Sequence, residues 1–328
     1  MKIYNCDNCG QIVYFENSLC LSCGFQLGYL PTLDNMSSIQ DLGEGQWKAL
    51  APSAEEKIYK KCKNYHLENV CNWMIPIEED DEYCLSCKFN HIIPNLSIPE
   101  NRKYWQRLEI AKRRLIYSLL RLHLPLNNKK TDPERGLSFD FLSNEKGLKY
   151  RESKRVLTGH NQGKITFNIE EANDAVREKM RLDMNERYRT LLGHFRHEIG
   201  HYYWFLLISN NNNLLTQFRE EFGDERINYN FALKQYYING PVGNWQERFI
   251  SAYASSHPWE DFAECWAHYL HMFDTLETAI SWGFTKKVES EDGMEDFKFK
   301  NHDTTFDEMK DQWLYVSTAL NSMNRSMG

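Results

Sequence analysis

Hydrophobic residues recur at helical spacing through most of the chain after residue 95. Between residues 100 and 124, Trp105, Leu108, Ala111, Leu115, Leu119 and Leu122 fall on one stripe of a helix that Pro125 closes. Residues 137–142 and 164–169 alternate apolar and polar positions and read as strands, with the turn formers Gly159 and Gly163 before the second. Residues 171–184 and 186–208 read as helices, and shorter helices are expected at 213–222, 226–237 and 244–254. A further helix opens at Pro258 and runs to about Trp282, with Gly283 beyond it. Proline at the first position and glycine past the last is the asymmetry expected of a helix. The last helix begins at the capping box Thr305-Phe-Asp-Glu308 and extends to about Met323, and the charged residues 286–303 read as an exposed loop. Before residue 95 the pattern breaks into short strand-like pieces and turns. The whole predicts an α+β protein with a boundary between residues 1–95 and 96–328.

The cysteines give the first region its character. Eight of the nine lie within the first 87 residues, and only Cys265 stands apart. Cys6-Asp-Asn-Cys9-Gly10 and Cys20-Leu-Ser-Cys23-Gly24 form two knuckles ten residues apart. A two-residue gap lets both thiolates of a tight turn reach one metal, and the following glycine permits the positive φ of that turn. Four thiolates suit tetrahedral Zn2+, so this spacing predicts a structural zinc ribbon. Cys62, Cys71, Cys84 and Cys87 offer a second set of four, in which only Cys84-Leu-Ser-Cys87 is a knuckle and His66 is a possible substitute for one member.

Composition bounds the possible partners. The chain has 328 residues, 41% hydrophobic and 26% charged, which are globular values. The longest apolar run, Tyr202 to Ile208, falls far short of the ~20 residues that span a bilayer. No apolar stretch follows Lys2, so no secretory signal is read, and a cytoplasmic chain without a membrane segment is expected. The net charge is -7, and residues 1–30 carry only Lys2 against Asp7 and Glu16. That balance disfavours nucleic acid and leaves a protein partner as the reading for the ribbons. The run Lys112-Arg113-Arg114 reads as a solvated helix face.

The chemistry concentrates in His197-Glu198-Ile-Gly-His201. On a helix, positions i and i+4 share a face, so His197 and His201 can bind one zinc. Glu198 is then placed to take a proton from a zinc-bound water and to pass it to a leaving amine. A catalytic zinc needs a third protein ligand and an open position. Glu260 and Glu264, four apart on one predicted helix, are the candidates. In zinc peptidases with a glutamate ligand, an acid four residues later orients a zinc-bound histidine, which favours Glu260 as ligand and Glu264 behind it. Asp261 reads as complementing the helix dipole. Tyr253, Tyr237 and His257 are candidates to stabilise the oxyanion, with a preference for Tyr253. Strand 164–169 is a candidate edge to hold an extended peptide.

These residues resemble a family of bacterial zinc-binding metallopeptidases with an N-terminal zinc-ribbon domain. The stretches that carry the resemblance are Cys71-Asn-Trp, Ile93-Pro-Asn-Leu-Ser, Glu109-Ile-Ala-Lys-Arg-Arg-Leu115, Leu157-Thr-Gly-His160, the stretch from Gly193 to Trp204 and that from Ser251 to Glu264. The resemblance is nearly full length. It implies a mainly helical zincin-like catalytic domain with a short sheet, of the gluzincin-like HExxH…E kind, and it supplies no substrate. Members continue past a segment like residues 321–328, where this sequence stops. Together the readings predict a zinc-dependent hydrolase of peptide bonds with one catalytic and one or two structural zincs. The alternative is a zinc-ribbon adaptor that binds a protein partner and whose HExxH domain is silent.

Overall fold

The computed structural model describes residues 1–144, 156–183, 189–290, 293–300 and 304–328. The architecture is α+β, in two compact units. One comprises Met1–Lys61, Asn72–Asp80 and His268–Gly328, the other Cys62–Cys71 and Asp81–Ala267.

The chain opens with a hairpin of β1 (Tyr4–Asn5) and β2 (Ile12–Val13). Five strands follow, β3 (Gln26–Leu30), β4 (Asn35–Gly43), β5 (Gln46–Ala49), β6 (Ile58–Lys61) and β7 (Met74–Pro76), pairing antiparallel in sequence order. A lone bridge between Tyr29 and Trp73 links the two ends of this sheet. Their rings lie 4.9 Å apart, with Phe15 4.8 Å from Tyr29.

The second unit contains α1 (Lys63–His66), β8 (Asn90–Ile92), α2 (Pro99–Arg121), β9 (Ser138–Leu142), β10 (Gly159–Asn161) and β11 (Lys164–Asn168). The four strands form one sheet in the order β10-β11-β9-β8, with parallel pairs flanking β9 and an antiparallel pair at β10. Helices α3 (Asp174–Asp183), α4 (Leu191–Tyr203), α5 (Asn212–Phe222) and α6 (Tyr229–Asn239) follow, and then α7 (Pro258–Ser281), whose first ten residues complete this unit. Its core joins Trp105, Leu108 and Leu115 of α2 to Phe139, Phe141, Ile165 and Phe167 of the sheet and to Phe195 of α4, all 0% exposed. The rings of Phe167 and Phe195 stack 3.9 Å apart. Strands β12 (Thr285–Ser290) and β13 (Gly293–Lys298) and helix α8 (Phe306–Met327) return to the first unit, where Leu276, Phe299, Met309 and Val316 pack together. Among the described residues, no helix is long and apolar enough to cross a membrane.

Several expectations are corrected. Residues 285–290 and 293–298 pair as antiparallel strands rather than forming a loop. A two-stranded ribbon is held by its backbone ladder and needs no apolar alternation, so its charges hid it. No helix spans 244–254; only 3-10 turns at Trp245–Glu247 and Tyr253–Ser256 occur there. Asn244, at φ 55°, interrupts the right-handed path. Helix α2 stops at Arg121, four residues before Pro125, where His123 turns at φ 52°. Residues 169–172 make a 3-10 turn (Ile169–Ala172), because the Asn173 carboxamide accepts from Ala175 N at 3.0 Å and starts α3 afresh. Helix α4 begins where the Thr190 hydroxyl accepts from Gly193 N, and ends in a π-helical turn, Trp204–Ile208. The expected start of that helix at 186 lies outside the described residues, as does residue 184. Strand β11 is internal to its sheet, and β10 is the edge on that side.

Lys112 and Arg113 are not a solvated face either. Lys112 is 0% exposed, and its Nζ sits 2.8 Å from Oε1 of the equally buried Glu109. Trp105 Nε1 and Asn90 Nδ2 also donate to that carboxylate. Removing one partner strands a buried charge, so Lys112→Met is expected to lower unfolding free energy by about 3–5 kcal/mol in a denaturant titration. An unchanged midpoint would contradict this.

Candidate metal centre

Among the described residues, three groups of ligand-type side chains come together: Cys6, Cys9, Cys20 and Cys23; Cys62, Cys71, Cys84 and Cys87; and His197, His201 and Glu260. Within each, one ligand atom per residue lies within 4.8 Å of all the others. A tetrahedron's edge is about 1.63 times its centre-to-corner distance, so Zn–S bonds of about 2.3 Å demand sulfurs about 3.8 Å apart. In the first cluster Cys6 and Cys23 are 3.6 Å apart and Cys9 and Cys20 3.7 Å. In the second, Cys71 is 3.7 Å from Cys84 and 3.8 Å from Cys87. Both sets therefore have the size of a zinc tetrahedron. The glycines behind the knuckles, Gly10 and Gly24, each stand at φ 75°. His66 contributes no atom to the second cluster.

The third group is built on α4 and α7. His197 and His201 face one way along α4. Between them is Gly200, where a Cβ would stand 2.8 Å from Ala263 Cα and 3.1 Å from Trp266 Cβ. The absence of a side chain lets α7 approach at Ala263, which lies between Glu260 and Glu264 in the sequence. Gly200→Ala is thus expected to push the helices apart and weaken metal binding at this centre at least ~10-fold, as disturbing outer-shell support does. Metal titration checks this, and unaltered affinity would contradict it.

The ligand-type atoms converge. His197 Nε2 lies 3.0 Å from Glu260 Oε2 and 3.1 Å from His201 Nε2, and His201 Nε2 lies 3.5 Å from Glu260 Oε2. Zinc bonds of about 2.0–2.1 Å to N and O imply edges of about 3.3–3.4 Å. The Tyr229 hydroxyl donates to Glu260 Oε1 at 2.7 Å, while Oε2, which faces the imidazoles, is buried without a hydrogen-bond partner. A buried carboxylate oxygen beside two imidazole nitrogens fits a cation. Glu264 Oε1 lies 2.7 Å from the other ring nitrogen of His197, Nδ1.

Glu198 adjoins this group. His194 spans two carboxylates, its Nδ1 2.7 Å from Glu171 Oε2 and its Nε2 3.2 Å from Glu198 Oε1. Burial works against a charge on His194, but the Glu171 and Glu198 carboxylates outweigh it and raise its pKa to about 9. Burial likewise works against ionised Glu171, yet His194, Thr158 and Arg189 bring that carboxyl down to about 2. Glu198 Oε2 is buried with no hydrogen-bond partner.

The aromatic candidates separate. The Tyr253 ring lies 5.9 Å from that of His197, and burial, then Glu260 and Tyr229, push its phenol well up. Tyr237 is 56% exposed. His257 is committed on both sides: Trp259 N donates to Nδ1 at 3.1 Å, and Nε2 donates to Ile227 O at 3.1 Å. Tyr229, Glu171 and the bridging role of His194 escaped the sequence reading. Only the i, i+4 spacing of His194 and Glu198 hinted at any of them.

Comparison with known proteins adds ancestry to this geometry. Residues 3–98 match a zinc-ribbon domain family. Uncharacterized proteins of Mycobacterium bovis and of two strains of Mycobacterium tuberculosis are each 40% identical over 328 residues, covering 100% of this chain and 88% of the relative. No solved structure matches the chain. Residues 101–328 match the family described as "Putative zinc-binding metallo-peptidase", and the chain belongs to that family.

Proposed function

We propose that the protein is a zinc-dependent hydrolase of peptide bonds, with His197, His201 and Glu260 holding the catalytic zinc and Glu198 acting as general base. The observation that carries this reading is the convergence of His197 Nε2, His201 Nε2 and Glu260 Oε2 at 3.0–3.5 Å, beside a buried glutamate with one oxygen unpartnered. Zinc held there would supply Lewis acidity toward a carbonyl and make water a better acid. The remaining steps fall to this chain's residues. His194 fixes Glu198 through Oε1, which leaves Oε2 to take the proton of an attacking water and return it to the leaving nitrogen. Glu264 holds His197 through Nδ1, so that Nε2 presents its lone pair inward. Tyr253 is our candidate donor to the oxyanion.

The two cysteine clusters supply structural zinc in this reading, for three zincs per chain. The ribbon region, residues 1–95, would present a protein partner or substrate to the hydrolase region, residues 96–328. Nine cysteines with no disulfide among them suit a reducing, cytoplasmic compartment. Replacing Glu198 by Gln tests the mechanism. The variant is expected to keep three zincs and to lose at least ~100-fold in cleavage of a mixed peptide pool, the scale of a removed general base. Full hydrolysis by this variant would rule out Glu198 as the base.

A further inference from the structure

Helix α6 and the segments flanking it enclose a cleft of about 410 Å³, whose walls include Ile227, Phe231, Tyr236, Pro241, Val242 and Ser256. None of the residues lining it is charged. Its apolar walls are unusually open to water: Ile227 is 52%, Phe231 60% and Val242 47% exposed. Helix α6, which forms one side, buries none of its residues. A helix and loop that leave several large apolar side chains exposed around a concavity have the character of a binding surface.

Two routes lead from this cleft to the ligand-type residues. The Tyr236 ring lies 5.7 Å from Tyr253, whose ring lies 5.9 Å from His197. On the other side, Ile227 O receives His257 Nε2, the His257 ring packs 5.1 Å from Tyr229, and the Tyr229 hydroxyl donates to Glu260. Tyr236 is thus linked to His197 through one intervening side chain, and Ile227 to Glu260 through two.

We propose that this cleft receives the apolar side chain of the substrate residue next to the bond that is cut, selecting peptides with Leu, Met, Phe or Tyr at that position. The inference rests on the hydrolase reading above and adds to it the class of substrate. An acidic or basic side chain would find no counter-charge there. A glycine would leave the walls exposed.

The probes are the N-acetyl hydroxamates of glycine, leucine, phenylalanine and glutamate, whose hydroxamate group chelates zinc, titrated into the zinc-loaded full chain. The leucine and phenylalanine compounds are expected to bind at least ~10-fold tighter than the glycine compound, the gain from burying one such side chain, and the glutamate compound no tighter than glycine. Ala232 lines the cleft from α6 and is only half-buried, so Ala232→Trp fills the space without touching the centre. It is expected to cut the leucine preference to under about threefold and to leave glycine hydroxamate binding as it was. Equal affinities, a glutamate preference, an undiminished preference in Ala232→Trp, or no hydroxamate binding at all would each overturn the proposal. Hydrolysis of a mixed peptide pool is scored separately: the side-chain preference without any cleavage by the wild type would refute the hydrolase reading alone.

Discussion

Replacing His201 by alanine is expected to remove one zinc of three from each chain and to bring peptide hydrolysis below detection. The centre offers three protein atoms within 3.0–3.5 Å of one another, and a zinc left with two of them is neither held nor positioned. The two cysteine clusters share no residue with the centre, so elemental analysis should fall by one zinc and no further. The neighbouring glutamates sharpen the expectation. Glu260→Gln should behave like His201→Ala, because its Oε2 faces both imidazoles. Glu264→Gln should keep the metal with affinity lowered about 10–100-fold, the cost of losing an outer partner of a ligand histidine. A zinc count that does not fall in His201→Ala would return the HExxH helix to a purely structural role.

The second large effect is expected at the other cysteine cluster. Cys62, Cys71, Cys84 and Cys87 are at most 3% exposed, and Cys87 Sγ lies 4.0 Å from Glu109 of α2. In zinc-finger peptides a structural zinc is worth about 10–16 kcal/mol at neutral pH, comparable to the whole stability of a domain, about 5–15 kcal/mol. Cys84→Ser should therefore lose one zinc and lower the melting temperature by at least ~10 °C, since each kcal/mol moves a unit of this size by about 2–4 °C. Cys9, in the first cluster, is exposed, and Cys9→Ser should lose one zinc with a smaller shift. Equal and negligible shifts in both variants would show that neither cluster holds a metal that supports the fold.

Local signals made much of this legible. Pro258 and Gly283 framed α7, and the box at Thr305 fixed the start of α8, because caps act within four residues. The alternation at 137–142 and 164–169 located β9 and β11, but not that β10 would cover the edge of β11, a matter of pairing across the sheet. The spacing of His197, His201, Glu260 and Glu264 pointed to the residues that meet at the centre. What the sequence hid depends on contacts distant along the chain. Tyr229 reaches Glu260 across 31 residues and Glu171 reaches His194 across 23, and no periodicity encodes either. Lys112 looked like surface because charge usually is, yet Glu109 three residues earlier gives it a buried partner. The meaning of Gly200 appears only with Ala263 against it.

Zinc-edge anomalous diffraction from crystals of the full chain tests the central claim most directly. The account predicts three peaks: one among Cys6, Cys9, Cys20 and Cys23, one among Cys62, Cys71, Cys84 and Cys87, and one about 2.0–2.1 Å from His197 Nε2, His201 Nε2 and Glu260 Oε2. Peaks at the cysteine clusters with none between His197, His201 and Glu260 in zinc-saturated crystals would contradict it.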